Sequence, residues 1–210
     1  MTETAIAASN DNLENAKRNQ ILDGAKRCFL AQGFDGASMN DIVKAAAVSK
    51  GTVYAYFPSK EKLFEALIFR DRRHQAEQTV VIERPERPIS EVLHDLAMRF
   101  GALLNSEETI AYVRMVVAVA EKFPEIGQAF YAAGPAYGNA KIAAYLQSKM
   151  DDGTLRQTDA ALAAAQFTEL VMCGTVKPKL FGAEKIAPKY ALETVVNSGV
   201  ALFLSGMAKG

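Results

Sequence analysis

Apolar residues recur along this chain every three or four positions and nowhere alternate in twos, so the elements they predict are helices. The first runs from about Leu13 to Gln32, with Ile21, Leu22, Ala25, Cys28 and Phe29 on one face and Gly33 as its terminator. Met39, Ile42, Val43 and Ala46 then mark one face of a short helix that Ser38 opens, with Asp41 three residues on as a partial capping box. Val48 fills the corner. Ser49 caps a second short helix, with Val53 and Phe57 inward and Lys50, Thr52, Tyr54 and Tyr56 outward. Ser59 begins a fourth helix, in which Leu63, Phe64, Leu67 and Ile68 face inward and which continues through the charged run RDRRHQAEQ toward Val81.

The Pro-rich, charged ERPERP of residues 83–88 marks a boundary. Beyond it the pattern predicts helices at about Ser90 to Leu104, Glu107 to Phe123, Pro124 to Met150, Asp159 to Val176 and Pro188 to Ser205. Pro124 and Pro188 suit a first helical turn, Asp159 is a natural cap, and Gly134-Pro135 should kink or split the segment it interrupts. The expected fold is all-α. Residues 1–11 are expected to be disordered, 12–58 to form a three-helix helix-turn-helix domain, 59–82 a connecting helix, and 83–210 a larger regulatory and dimerisation domain. Two short helices joined by a tight turn, the second polar outward, form the pattern that presents side chains to a DNA groove.

Charge changes the picture only through its distribution. The chain holds 24 basic and 24 acidic residues, a balance that by itself weighs against a nucleic-acid partner. Residues 12–76 carry eleven Lys or Arg against seven Asp or Glu, and the remainder thirteen against seventeen. Lys17, Arg18, Lys26, Arg27, Lys44, Lys50, Lys60 and Lys62 therefore surround the motif, where phosphates would lie. Cys28 and Cys173 cannot form a disulfide framework, and neither they nor His74 and His94 have metal-ligand spacing, so no metal or other cofactor is expected. Cys173, beside Met172 and Gly174, is a candidate redox sensor. The start, MTETAIAASNDNLEN, lacks a basic n-region and an apolar h-region, and the longest apolar runs are interrupted before transmembrane length; a cytoplasmic protein without membrane contact is expected.

The first third of the chain resembles the TetR family of transcriptional regulators. The likeness is carried by NAKRNQILDGAKRCFLAQGF from Asn15 to Phe34, by Ser38, Ile42, Ala46, Val48, Ser49, Gly51, Tyr54, Tyr56 and Phe57, and by SKEKLF from Ser59 to Phe64. Less specifically, EKFPEIGQAFYAAGP (Glu121 to Pro135), DGTL (Asp152 to Leu155) and AAAQFTELVMCG (Ala163 to Gly174) resemble the C-terminal domains of AefR-like members. The resemblance implies a homodimer whose last two long helices pack as a four-helix bundle, with Leu162, Leu170, Val195, Leu202 and Phe203 among the apolar dimerisation residues. Two motifs in one dimer would enter successive major grooves about 34 Å apart on a palindromic operator in double-stranded DNA. Lys50 and Thr52 are the candidates for base edges, and Gly51 lets the backbone approach; Ser38, Tyr54, Tyr56 and Lys60 are placed by the resemblance on phosphates.

The resemblance also implies a hydrophobic small-molecule effector in a cavity among the middle helices. Phe100, Tyr112, Met115, Val116, Val119, Phe130, Tyr131, Phe167 and Met172 are its candidate lining, and binding would release a repressor from its operator. One position departs from the pattern. Family members commonly carry glycine at the turn held here by Ala47, where a positive φ would strain alanine by about 1–2 kcal/mol. The alternative is a small helical binding or enzymatic protein in which the helix-turn-helix is only scaffold, although no GxSxG, P-loop or dinucleotide fingerprint is present.

Overall fold

The computed structural model describes residues 3–208, with side chains from residue 14 onward. All regular structure among them is helical: α1 Glu3–Gly36, α2 Met39–Ala46, α3 Lys50–Tyr56, α4 Lys60–Thr79, α5 Ile89–Leu104, α6 Glu107–Ala120, α7 Pro124–Tyr131, a π turn Ala132–Ala136, α8 Tyr137–Asp151, α9 Ala160–Met172, α10 Val176–Leu180 and α11 Leu192–Met207. No described helix is long and apolar enough to cross a membrane. The chain divides into two compact units, one of residues 1–70 with 115–129 and the other of 71–114 with 130–210. The division falls inside α4, so the Pro-rich 83–88 stretch is a turn within the second unit.

In the first unit, α1 buries Ile21, Leu22, Ala25 and Phe29 completely, at the positions its periodicity marks. Gly33 takes φ 71° and ψ 175°, a conformation suited to glycine, and breaks the helical path as a terminator should. The expected disordered start falls partly on Met1 and Thr2, outside the described residues; from Glu3 the backbone is helical, with Ala5, Ala7 and Ala8 as strong helix formers. Phe29, Phe34 and Phe64 form a ring cluster with centroids 4.8–5.9 Å apart, and Phe123 joins it 6.0 Å from Phe34. Leu63, Leu67 and Ile68 of α4 complete this core with no exposure.

The second unit is built around Val92, Leu93, Leu96 and Ala97 of α5, Ile142, Leu146 and Met150 of α8, Ala163, Ala164, Phe167 and Val171 of α9, and Val196, Val200, Phe203 and Met207 of α11. Gly199 allows α11 to lie close on α9, since a Cβ there would stand 3.3 Å from the Leu170 carbonyl. Gly134-Pro135 does interrupt the long helix expected from Pro124: the missing proline N–H widens one turn to π geometry between α7 and α8. Two expected bounds are corrected. α9 ends at Met172, because Gly174 has φ +73°, and the short α10 follows with Pro178 in its first turn. Pro188 does not start a helix; α11 begins at Leu192, and the Tyr190 ring sits 3.1 Å from where a Cβ on Gly174 would be.

Candidate nucleic-acid interface

The geometry of α2 and α3 is fixed by caps at both ends. Ser38 Oγ accepts from the Asp41 backbone N–H at 3.2 Å while the Asp41 carboxylate accepts from the Ser38 N–H at 3.2 Å, a complete capping box. The Ser38 hydroxyl, which itself donates to Asp41 Oδ2, and then the Ser38 N–H hold the Asp41 carboxyl below the usual range. At the other end Ala47 adopts φ 52° and ψ 46°, the left-handed conformation suspected from the sequence, and its N–H donates to Lys44 O. Gln20 Nε2 donates to Ala46 O at 2.8 Å and the Arg27 guanidinium donates to Ala45 O, so two α1 side chains close the carbonyl end of α2. Ser49 caps α3 by accepting from Thr52 N–H at 3.0 Å, and buried Val53 and Phe57 anchor its inner face.

Gly24, which the sequence reading passed over, sets the distance between α1 and α2. A Cβ there would fall 2.6 Å from the N, Cα and Cβ of Ala46, closer than real Cβ contacts come. The only sequence signal was an isolated glycine inside an amphipathic helix. Arg18 was likewise not assigned a packing role, yet its guanidinium lies 5.5 Å from the Phe57 ring centroid.

What α3 leaves outward is Lys50, Gly51 and Tyr54, all exposed, with half-buried Thr52 and Tyr56. Lys50 Nζ stands 5.8 Å from the Tyr54 ring centroid, an i,i+4 pair on the helix surface. Thr52 Oγ1 is 2.7 Å from Ser49 Oγ, which ties its hydroxyl to the cap, while the Tyr56 ring rests near Phe57 with centroids 6.4 Å apart. Ser38 is exposed with its hydroxyl in the capping box. Lys60 is placed differently from the expectation of a phosphate ligand. Its Nζ donates to Phe34 O at 2.7 Å and Ala37 O at 3.1 Å and lies 4.5 Å from the Phe34 ring centroid, closing the end of α1 instead of reaching outward.

Six of the nine candidate effector-lining residues fall in the second unit. Phe167 is core, edge-on to Phe203 with centroids 5.2 Å apart, and Phe100 packs against the same cluster. Tyr131 is 62% exposed, Met172 is half-buried at the end of α9, and Met115, Val116 and Val119 fall in the first unit. Tyr112 and Phe130 remain together, and they flank Arg72: its guanidinium carbon lies 4.7 Å from the Tyr112 ring centroid and 5.9 Å from that of Phe130. Tyr112 donates to Asp71 Oδ2 at 3.2 Å, and burial, then Asp71, drives its phenol far above the ordinary range. Burial also pushes the Arg72 guanidinium downward, with Tyr112, Asp71 and Glu108 pushing back. Among the described residues no group of three His, Cys, Asp or Glu could hold a metal ion.

The five candidate dimerisation residues divide. Leu162 on α9 and Leu202 on α11 are 55% and 61% exposed, and Leu170 is half-buried. Val195 and Phe203 point into the subunit, Phe203 because its ring is needed against Phe167. An open groove between α9 and α11 is lined by Ala165, Gln166, Leu170, Leu202 and Gly206, with Cys173 exposed beside them.

Comparison with known proteins agrees at both ends of the chain. Residues 21–67 match the family model described as bacterial regulatory proteins, tetR family, and residues 91–206 match the one described as the AefR-like transcriptional repressor C-terminal domain. The HTH-type transcriptional repressor AcnR of Corynebacterium efficiens is 42% identical over 60 residues, 29% of this chain and 32% of that protein. This chain thus spans about a third of the length of such relatives, whereas the HTH-type transcriptional regulator YhgD of Bacillus subtilis is 24% identical across 85% of this chain and 90% of its own. Among solved structures, one from Mesorhizobium loti described as a TetR-family transcriptional regulator superposes with TM-score 0.85 at 26% identity, covering 93% of this chain and 98% of that one. The flavonoid-responsive regulator FrrA superposes with TM-score 0.78 at 29% identity, covering 92% and 98%.

Proposed function

The chain belongs to the TetR family of transcriptional regulators, and from that premise we propose that it is a homodimeric repressor which holds a palindromic operator and leaves it when an apolar small molecule binds. The observation that carries the reading is the outer face of α3: Lys50, Gly51 and Tyr54 exposed together on a helix whose other side is pinned by Val53 and Phe57. Lysine there offers N–H donors to guanine acceptors, and Thr52 retains its methyl for thymine. Tyr54 and the exposed capped start of α2 at Ser38 suit phosphates, which fix register without reading sequence. Exposed Leu162 and Leu202 supply the apolar face a symmetric partner would cover. The repressors matched by the first third and the flavonoid-responsive regulator FrrA support repression and effector response respectively.

The test is a mobility shift on a palindromic fragment from the gene's own promoter region, repeated across salt concentrations. Affinity should fall steeply with salt, by roughly 0.9 log units per log unit of salt for each phosphate neutralised. Lys50→Ala and Tyr54→Ala should each weaken binding by about 1–3 kcal/mol with helicity and dimerisation unchanged. Unchanged affinity in both variants would remove α3 from the contact surface.

A further inference from the structure

A guanidinium is the least suitable group to bury without acceptors, since it stays charged and carries five N–H donors. Arg72 is only 5% exposed, yet its Nε and Nη2 have no hydrogen-bond acceptor in the protein. Nη1 has one, Thr109 Oγ1, at a long 3.4 Å. Each nearby carboxylate gives at least one oxygen to another donor: Asp71 Oδ2 accepts from the Tyr112 hydroxyl at 3.2 Å, and Glu108 Oε1 from Gln75 Nε2 at 3.4 Å. The Gln75 amide oxygen, one turn further along α4, also lacks a donor. All these groups belong to the second unit, as do Phe130 and Gly134, whose added Cβ would stand 3.7 Å from Arg72 Cβ.

The identity of the two unpaired nitrogens decides the ligand class. Nε and Nη2 lie on one edge of the guanidinium plane, and their N–H bonds run parallel at the spacing of two carboxylate oxygens. The Tyr112 and Phe130 rings flank the same group and supply apolar surface beside that edge, while the charges of Asp71 and Glu108 act on it from the polar side. A small hydrated anion would lose its water there for little return, whereas an acid carrying an apolar body gains burial as well as the paired hydrogen bonds.

We propose that Arg72 anchors the effector, and that the effector is an apolar monocarboxylate whose two oxygens accept from Nε and Nη2 while its body lies against Tyr112 and Phe130. This deepens the regulatory reading and rests on it only for the word effector. Binding itself is read without DNA.

The experiment is a thermal melt of the full chain with benzoate, 4-phenylbutyrate and decanoate, each beside its neutral primary amide. At about a hundredfold excess over Kd at least one acid should raise Tm by roughly 5–10 °C, and its amide should not. Arg72→Met should abolish the response, and Arg72→Lys, which keeps a charge but loses the parallel pair, should weaken it on the order of 10–100-fold. Without ligand, Arg72→Met should melt at or above the wild-type temperature, because an apolar stem replaces a buried cation short of acceptors. The proposal is overturned by equal shifts from acid and amide, by no shift from any of the three acids, by an undiminished response in Arg72→Lys, or by an Arg72→Met variant that melts well below wild type or does not fold. An operator mobility shift on the same proteins keeps the two readings apart. Failure of the wild type to bind DNA sinks the regulator and leaves the melts to judge Arg72.

Discussion

Two residues show how finely the helix-turn-helix is set, and from opposite directions. Ala47 occupies the left-handed region at φ 52°, where an L side chain is strained by about 1–2 kcal/mol, while glycine there would forfeit about 0.5–1 kcal/mol of unfolded-state entropy. Ala47→Gly should therefore raise stability by up to roughly 1 kcal/mol, visible as a rise of about 2–4 °C in Tm. A clear drop would mean that the αL turn has another source of support. Gly24 stands at the other extreme: its missing Cβ would be 2.6 Å from Ala46 backbone atoms, and α2 cannot move away without losing the Gln20 and Arg27 hydrogen bonds at its carbonyl end. Gly24→Ala should cost at least about 2 kcal/mol despite the better helix propensity of alanine, in the range of core overpacking. Chemical denaturation of both variants measures the two signs in one experiment. The suspicion about Ala47 came from the sequence, because a familiar turn lacked its glycine; the constraint at Gly24 was hidden because its neighbour lies 22 positions away.

At the scale of helices, caps and faces were legible and ends without caps were not. Ser38, Ser49, Ser59 and Asp159 each accept from backbone N–H groups of the helix that follows, as short polar side chains before apolar periodicity should. The start of α11 carries no side-chain cap, and Pro188 drew the expected start four residues too early. α10 has five residues and no buried side chain, so it left no periodic signal at all. Aromatic residues on amphipathic helices fill a core as readily as a cavity, and Phe167 of the candidate lining packs in the core. Arg72 went unremarked because nothing in RDRRHQ distinguishes a buried arginine from its solvated neighbours. On α3 itself, Gly51 allows a clean separation of fold from contact. A Cβ there would meet only Ser49 Oγ at 3.8 Å, so Gly51→Ala should stabilise the isolated protein by about 0.5–1 kcal/mol. If α3 lies close against DNA, the same methyl should weaken operator affinity by about tenfold or more in a mobility shift. Equal or tighter binding would show that the backbone at Gly51 stays clear of the duplex.

For the whole molecule, the proposed dimer needs a face that holds two copies together. α11 turns Val196, Val200, Phe203 and Met207 inward and leaves Asn197, Ser198, Ala201, Leu202 and Ser205 outward, a face of small residues around one large apolar side chain. α9 does the same with Leu162 outward. A two-fold axis makes each such residue count twice, so a charge placed at one position is buried twice and unpaired in both copies. Leu202→Glu should thus weaken self-association by at least about 3 kcal/mol, on the order of a hundredfold in Kd, measured by sedimentation or light scattering across concentration. Operator affinity should fall with it and become steeply dependent on protein concentration, because two recognition helices must be joined before they can occupy both half-sites. Val117→Glu on α6 is the matched control: it removes a 71% exposed apolar side chain by the same chemistry, and it should leave both measurements unchanged. A Leu202→Glu protein that remains a dimer would place the subunit contact elsewhere, and one that dissociates yet binds the full operator with wild-type affinity would show that DNA recognition needs only one copy.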